Sequence, residues 1–137
     1  MRTIIAFTHA TLDGFIDDPH EWWLPYLDDE LRADELEMHL AADALLLGRV
    51  TFEGMAKAWP AMDGDPFVDH VNAMTHHVVA SQPVDTSVWE PTVVIPGADL
   101  IDEVRRLEQA DDGDILIWGT GRLTDAVVHV YRPTSPA

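Results

Sequence analysis

The chain has 137 residues, 25 acidic against 8 basic side chains, a net charge of −17 and no cysteine. This length predicts one compact domain, and the missing cysteines exclude disulfides and thiolate chemistry. The strong negative charge argues against nucleic acid or anionic lipid as a partner. The first apolar run ends by Phe7 and is too short for a signal peptide or a membrane span, so we expect a cytoplasmic protein with no membrane partner.

The acidity itself has two interpretations. One is a generic acidic surface, and the other is a halophilic adaptation to high cytoplasmic salt, where ions screen the self-repulsion of the chain. The apolar content of 47% excludes disorder as a cause of the high charge.

The first half of the chain predicts two strands and three helical segments. A β-branched, apolar strand covers residues 2–8, and a loop rich in turn residues covers 11–19. A helix capped by Asp28 or Asp29 extends to about residue 42, and its apolar face carries Leu31, Leu36, His39 and Leu40. A wholly apolar strand at 44–47 is followed by a helix from Thr51 to about residue 58, and the spacing of Phe67, Val71 and Met74 predicts another helix.

The second half predicts three more strands, at residues 77–80, 92–95 and 114–118. An amphipathic helix carries Ile101, Val104 and Leu107 and ends near residues 111–113. Residues 126–131 form either a sixth strand or the end of a helix. Strands that alternate with helices indicate an α/β fold with a mainly parallel sheet, in which ligands bind beyond the carboxyl ends of the strands.

Two glycine turns follow predicted strands and suggest a phosphate site. At residues 48–51, Gly48 permits a tight turn and close approach of a ligand, Arg49 adds a cation, and Thr51 caps the next helix, whose free N–H groups would receive a phosphate. At residues 119–121, Gly-Thr-Gly is not an ordinary Rossmann fingerprint, because the third glycine and the later acidic residue are missing. A plain glycine turn is the alternative, but two such turns can clamp one diphosphate.

Four motifs in order resemble the dihydrofolate-reductase-like superfamily. They are Thr-Leu-Asp-Gly-Phe-Ile at 11–16, Leu-Gly-Arg-Val-Thr-Phe-Glu at 47–53, Val-Val-Ala-Ser at 78–81 and Ile-Trp-Gly-Thr-Gly at 117–121. Within that superfamily the chain looks most similar to the C-terminal reductase domain of the bifunctional riboflavin-biosynthesis deaminase/reductase and its stand-alone relatives. The resemblance implies a three-layer fold with helices on both faces of the sheet.

The resemblance also implies NADPH-dependent reduction by hydride transfer, with a cofactor that carries the hard chemistry. It assigns NADPH phosphates to both glycine turns, the adenosine ribose or its phosphate to Ser81, and the nicotinamide and substrate side to the first loop. The implied cofactor-binding residues are Ala6, Gly14, Gly48, Arg49, Thr51, Ser81, Gly119, Thr120 and Gly121. The implied substrate-binding residues are Thr11 and Leu12, to which Trp22 and Trp23 are added as rings that stack on a flat heterocycle.

Asp13 is the candidate catalytic residue, since it is the ionisable group nearest the reacting ring and could orient substrate or help supply a proton. An Asp in a turn before Gly14 is the alternative interpretation. Trp22 and Trp23 could equally be apolar anchors beneath a loop. The seven histidines are scattered without metal-ligand spacing, so no metal is expected.

Two features depart from the family pattern. Ser81 precedes Gln82 where many relatives carry a basic residue, so NADP is favoured over NAD only weakly. The chain also ends where relatives continue, so the C-terminal strands look shortened or missing in a single domain of residues 1–132 with a tail at 133–137. A lost strand leaves an unpaired sheet edge, and residues 126–131 then either fill the gap or pair across a homodimer.

Three functions are therefore compatible with the sequence. The first is an NADPH-dependent reductase of a flat nitrogen heterocycle, pterin-like or ribosylaminouracil-like. The second is a catalytically weak or inactive nucleotide-binding or interaction module with the same fold. The third is a scaffold in which the glycine turns serve topology alone.

Overall fold

The structure, a computed structural model, describes residues 1–110 and 112–119. Predictions for Thr120, Gly121, residues 126–131, the shortened C-terminal strands and the tail at 133–137 lie outside the described residues. The strands are β1 (Ile4–Phe7), β2 (Ala42–Gly48), β3 (Thr75–Ala80), β4 (Thr92–Pro96) and β5 (Asp114–Trp118). The helices are α1 (Pro19–Trp22), α2 (Asp29–Leu40), α3 (Arg49–Met55), α4 (Pro66–Ala73) and α5 (Leu100–Gln109), with single 3₁₀ turns at Leu24–Tyr26, Trp59–Ala61, Thr86–Val88 and Gly97–Asp99.

The five strands form one sheet in the order β1-β5-β2-β3-β4, and every neighbouring pair is parallel. The predicted α/β class and parallel sheet are confirmed. Strand β5 is inserted between β1 and β2, so the chain moves across the sheet in one direction from β1 to β4 and then returns. All five strands consequently end at one edge, which we call the carboxyl edge.

Helices cover the sheet on both sides, which gives three layers. Helices α2, α3 and α4 pack on the face that carries Leu45, Leu47 and Trp118, while α5 packs on the face that carries Leu46 and Ile117. Parallel crossovers are right-handed, so the connection that reverses direction, from β4 to β5, must place its helix on the opposite face. This rule explains why α5 lies alone among the described helices on its side.

The central strands are buried on both faces, as their unbroken apolar sequence predicts. Residues Leu45 to Leu47 and Ile115 to Leu116 have no exposed surface. Burial of a side chain of this size contributes about 1.5–3 kcal/mol relative to an exposed position. The core therefore lies where β2 and β5 pair, directly behind both glycine turns.

Helix α2 begins as predicted and faces the sheet differently. Asp28 caps it, since its carboxylate accepts a hydrogen bond from the Leu31 N–H at 2.8 Å. The predicted face is right at His39, which is buried, and wrong at Leu31 and Leu40, which are exposed, while Glu35 is buried in their place. The reason is that both polar side chains find hydrogen-bond partners inside, which offsets the cost of burying them.

Arg2 joins three strands at the edge of the sheet opposite to the carboxyl edge. Its buried guanidinium donates from Nε to the Gly113 carbonyl at 2.5 Å and pairs with the Asp43 carboxylate. Asp43 in turn accepts from the Gly113 N–H at 2.9 Å. One cation thus joins the starts of β1, β2 and β5.

Candidate functional site

The two glycine turns lie side by side at the carboxyl edge. Strands β2 and β5 are neighbours, and Leu47 stands opposite Trp118 in their register. Gly48, the last residue of β2, is therefore adjacent to Gly119, the residue that follows β5. We call residues 48–51 the β2 turn and Gly119, the described residue that follows β5, the β5 turn.

Gly119 is required by the fold. Its φ is +83°, a left-handed conformation that side chains rarely adopt. A Cβ atom at this position would lie 2.5 Å from Oγ1 of Thr51, closer than real contacts permit. The β5 turn therefore needs glycine both for its backbone and for its contact with the β2 turn.

Gly48 is not required by the fold. Its φ of −76° is available to any residue, so the turn does not use the conformational freedom that glycine permits. A Cβ atom built on Gly48 meets no heavy atom of the described residues within 4 Å. The backbone of the β2 turn consequently borders open space that a ligand could occupy.

Thr51 does not cap a helix, contrary to the sequence prediction. Helix α3 begins at Arg49 with Gly48 as its N-cap, so Thr51 is the third helical residue. The helix starts earlier because Gly48 already has the extended conformation of an N-cap residue. The Thr51 side chain instead packs against Gly119 and joins the two turns. Since α3 has only seven residues, its N-terminus alone does not make an anion site.

Arg49 is already paired. Its Nη1 donates to both carboxylate oxygens of Glu53, at 2.8 and 3.1 Å, one helical turn away. Both side chains are partly exposed, so this pair contributes little stability. A phosphate at the β2 turn would have to compete with Glu53 for the guanidinium.

Ser81 lies at the same edge, two strands from the β5 turn. It is exposed, and its Oγ lies 2.8 Å from the position that a Cβ on Gly97 would take. The ends of β3 and β4 are thus packed together through this hydroxyl. The structure brings Ser81 to the edge that holds both glycine turns.

Asp13 belongs to a self-contained turn. The Thr11 hydroxyl donates to Asp13 Oδ1 at 2.5 Å and also accepts from the Phe15 N–H at 2.9 Å. Gly14 has a φ of +86° and donates to the Thr11 carbonyl. These contacts show the turn arrangement that was the alternative interpretation of Asp13, and the carboxylate is exposed.

An aromatic cleft of about 400 Å³ opens beside the end of β1. It brings together all four predicted substrate residues. Its rim is apolar and exposed, most of all at Leu12, which is fully exposed, and Tyr26, which is 77% exposed. Ala6 is not part of it, since this residue lies on the α5 face of β1. The residues that line the cleft are His9, Ala10, Thr11, Leu12, Trp22, Trp23, Tyr26 and Leu31.

The two tryptophans have different positions in this cleft. Trp23 stacks on the His9 ring, with centroids 4.0 Å apart and planes 16° from parallel. Trp22 donates from Nε1 to the Asp17 carbonyl at 2.9 Å and so fixes the loop that leads into α1. Trp23 thus forms a wall of the cleft together with a histidine, and Trp22 has the anchoring contact that the alternative interpretation predicts.

His9 and Glu35 form a pair that sequence reasoning missed. His9 Nε2 lies 3.0 Å from Glu35 Oε1, and only 10% of the Glu35 side chain is exposed. Because an ionised carboxylate can only accept, His9 Nε2 carries the proton in this pair. The available signal was the Glu-x-x-x-His spacing of Glu35 and His39, which places both on one face of α2.

His39 links Glu35 to Trp118, the residue before the β5 turn. Trp118 Nε1 donates to His39 Nε2 at 3.1 Å, and His39 Nδ1 donates to the Glu35 carbonyl at 2.6 Å. Burial lowers the pKa of His39 below its ordinary value of 6.5. The ring is therefore neutral, as the acceptor role of Nε2 requires, and it connects the residue before Gly119 to the cleft.

Within residues 1–110 and 112–119, no group of three or more His, Asp or Glu side chains is placed to hold a metal ion. No helix in that part is both long and apolar enough to cross a lipid bilayer.

Comparison with known proteins names no family for this fold and site. Neither the family models nor the curated proteins contain a match to the chain. The three-layer α/β fold is shown, whereas the resemblance to dihydrofolate-reductase-like proteins stays a prediction.

Proposed function

We propose that the protein is an NADPH-dependent reductase that delivers hydride to a flat nitrogen heterocycle, pterin-like or ribosylaminouracil-like. The observation that carries the proposal is the open space beside Gly48. It lies next to Gly119 of the β5 turn, which is in close contact with the Thr51 side chain. A cofactor backbone that passes over Gly48 would use a gap that the fold itself does not need. The aromatic cleft lies at the same edge and offers a place for the substrate ring.

In this proposal the protein contributes position rather than a nucleophile. When bound, NADPH supplies the hydride. The β2 turn and the β5 turn would hold its diphosphate, with Arg49 released from Glu53 to meet the negative charge. Ser81 would lie toward the adenosine side, because it ends the strand beyond β2 on the side away from the cleft.

The cleft would orient the acceptor ring. The Trp23 indole offers a flat face, and the exposed apolar rim would exclude water when a ligand covers it. Thr11 and Leu12 would contact the ring from the loop, and Asp13 beside them would orient substrate or help supply a proton. A homodimer in the cytoplasm completes the proposal.

A nucleotide-binding or interaction module without turnover is the second candidate. The pairing of Arg49 with Glu53 favours it, since a neutralised guanidinium holds a phosphate less tightly. The contacts of Asp13 within its own turn favour it too, because a carboxylate bound there is not aimed into the cleft. Binding of NADPH without oxidation in the presence of any tested pteridine or ribosylaminouracil would support this candidate.

The test is thermal unfolding and NADPH fluorescence in high salt, with and without the cofactor. Saturation to about 100-fold above the dissociation constant should add about 2.7 kcal/mol to the free energy of unfolding. No stabilisation at millimolar NADPH would exclude both candidates.

Arg49→Ala tests the phosphate assignment. We expect about tenfold weaker NADPH binding, the loss typical of one charge-assisted hydrogen bond. Arg106→Ala is the matched control, because Arg106 is also an exposed arginine paired with a glutamate of its own helix, on the opposite face of the sheet. Equal affinity of the two variants would show that Arg49 holds no phosphate.

A further inference from the structure

One nitrogen of the His9 ring is hydrogen-bonded to Glu35, and the other has no partner among the described residues. Nε2 donates to Glu35, whereas Nδ1 has no hydrogen-bond partner in the part of the chain that the structure describes. The ring itself is held firmly, stacked on Trp23 and edge-on to Phe7 at a centroid distance of 4.9 Å. A fixed ring with an unsatisfied nitrogen lines the aromatic cleft.

The Glu35 carboxylate determines what that nitrogen can do. It is nine-tenths buried and accepts a hydrogen bond from Nε2–H, so a neutral His9 carries no proton on Nδ1. A carboxylate that fixes the tautomer and direction of an imidazole is a recurrent way to prepare histidine for a ligand. His9 Nδ1 is thereby an acceptor on a ring that lines the cleft and stacks on an indole.

We propose that His9 binds the ligand of the aromatic cleft by accepting a hydrogen bond at Nδ1, and that Glu35 is the positioning residue for this contact. The ligand class that fits is an uncharged, flat heterocycle with a ring N–H. An anionic ring would meet the repulsion of a nearby carboxylate and of a chain with a net charge of −17. The inference rests on the proposed function for the assignment of this cleft to the substrate.

The first measurement determines the tautomer of His9. Long-range ¹H–¹⁵N NMR of the chain labelled in histidine reports which ring nitrogen carries a proton, and the signals of His9 are identified from His9→Gln. We expect a proton on Nε2 alone in the wild type and a mixture of tautomers in Glu35→Gln. An unordered His9 tautomer in the wild type would overturn the positioning role of Glu35.

The second measurement uses quinazolinone, a neutral bicyclic lactam with a ring N–H, and its N-methyl derivative, in which that donor is blocked. Calorimetric titration should show saturable binding of quinazolinone and about tenfold weaker binding of the methylated compound. His9→Gln should lose about the same factor, while His20→Gln, at an exposed position of α1, should bind as the wild type does. Far-UV circular dichroism checks that each variant is folded.

Three results would overturn the inference: no binding of quinazolinone at millimolar concentration, equal binding of the two compounds, or unchanged binding by His9→Gln. NADPH titrations of the same proteins separate this inference from the proposed function. Cofactor binding without lactam binding would reject the role of His9 and leave the cofactor site standing. Lactam binding that depends on His9, without NADPH binding, would reject the reductase and leave the cleft assignment standing.

Discussion

The β2 and β5 turns contain the same residue at the same place in neighbouring strands, yet their glycines serve different purposes. Gly119 has a left-handed backbone and no room for a Cβ, because Thr51 fills the space. Gly48 has an ordinary backbone and open space around it. The fold requires glycine at position 119, whereas Gly48 is an N-cap residue at a place where other side chains would fit.

The comparison offers a way to separate structural from functional glycines without knowledge of the ligand. A glycine that the fold requires destabilises the protein when it is replaced. A glycine that a ligand requires weakens binding and leaves stability almost unchanged. The two turns allow both outcomes to be measured in one molecule, a few ångströms apart.

The largest expected effect is that of Gly119→Ala. The left-handed φ and the contact with Thr51 together should cost about 2–4 kcal/mol of unfolding free energy. Urea unfolding followed by circular dichroism measures this loss. The double variant with Thr51→Ala removes Oγ1 and Cγ2 from the contact and should recover about 1 kcal/mol through coupling of the two sites. Strict additivity of the two substitutions would contradict the contact.

Acidification should lower the free energy of unfolding, in part through His39, which contacts the residue before Gly119. Burial lowers the pKa values of His39, His76 and His77 from 6.5, so below that pH the unfolded chain binds protons that the folded chain does not. Stability is then full above about pH 6.5 and falls as the pH decreases further, until the folded histidines titrate. Urea unfolding at several pH values measures the slope, and His39→Gln should reduce it, because one of the three groups no longer titrates. An unchanged slope would mean that His39 is already charged in the fold.

The smallest effect on stability is expected for Gly48→Ala. The loss of glycine at an N-cap is offset by the reduced freedom of the unfolded chain, so the unfolding free energy should change by no more than about 0.5–1 kcal/mol. NADPH affinity should nevertheless fall about tenfold or more, since a methyl group would occupy the space proposed for the diphosphate. Isothermal titration of this variant beside the wild type decides the point. A stable variant with full affinity would return Gly48 to the class of plain turn glycines.

Much of the fold was predictable because its signals are local. The apolar runs of β2 and β5 gave both strands within a few residues, and the alternation of strands with helices gave a parallel sheet. The capping of α2 by Asp28 followed from its side-chain chemistry. The buried face of α2 did not, because it depends on His9 and Trp118, partners that are distant in sequence.

The candidate site was predictable where it follows from strand order and not where it depends on side-chain pairing. Parallel strands brought the β2 turn, Ser81 and the β5 turn to one edge, as expected. Arg49 pairs with Glu53, and the Thr51 side chain packs against Gly119. A pattern of residue types does not predict which partner each of these side chains takes. The pair of His9 and Glu35 was missed because its members are 26 positions apart.

The insertion of β5 between β1 and β2 has a consequence for the order of folding. Strand β1 is hydrogen-bonded only to β5 among the described strands, and the Arg2 clamp joins residues 111 positions apart. During synthesis, β1 therefore stays unpaired until β5 has been made, while β2, β3 and β4 can already pair with one another. Such distant closure slows folding and leaves an apolar strand unprotected in the interval. Among the described strands, β1 and β5 are therefore the last to join the sheet, and the β2 turn gains its neighbour Gly119 only at that step.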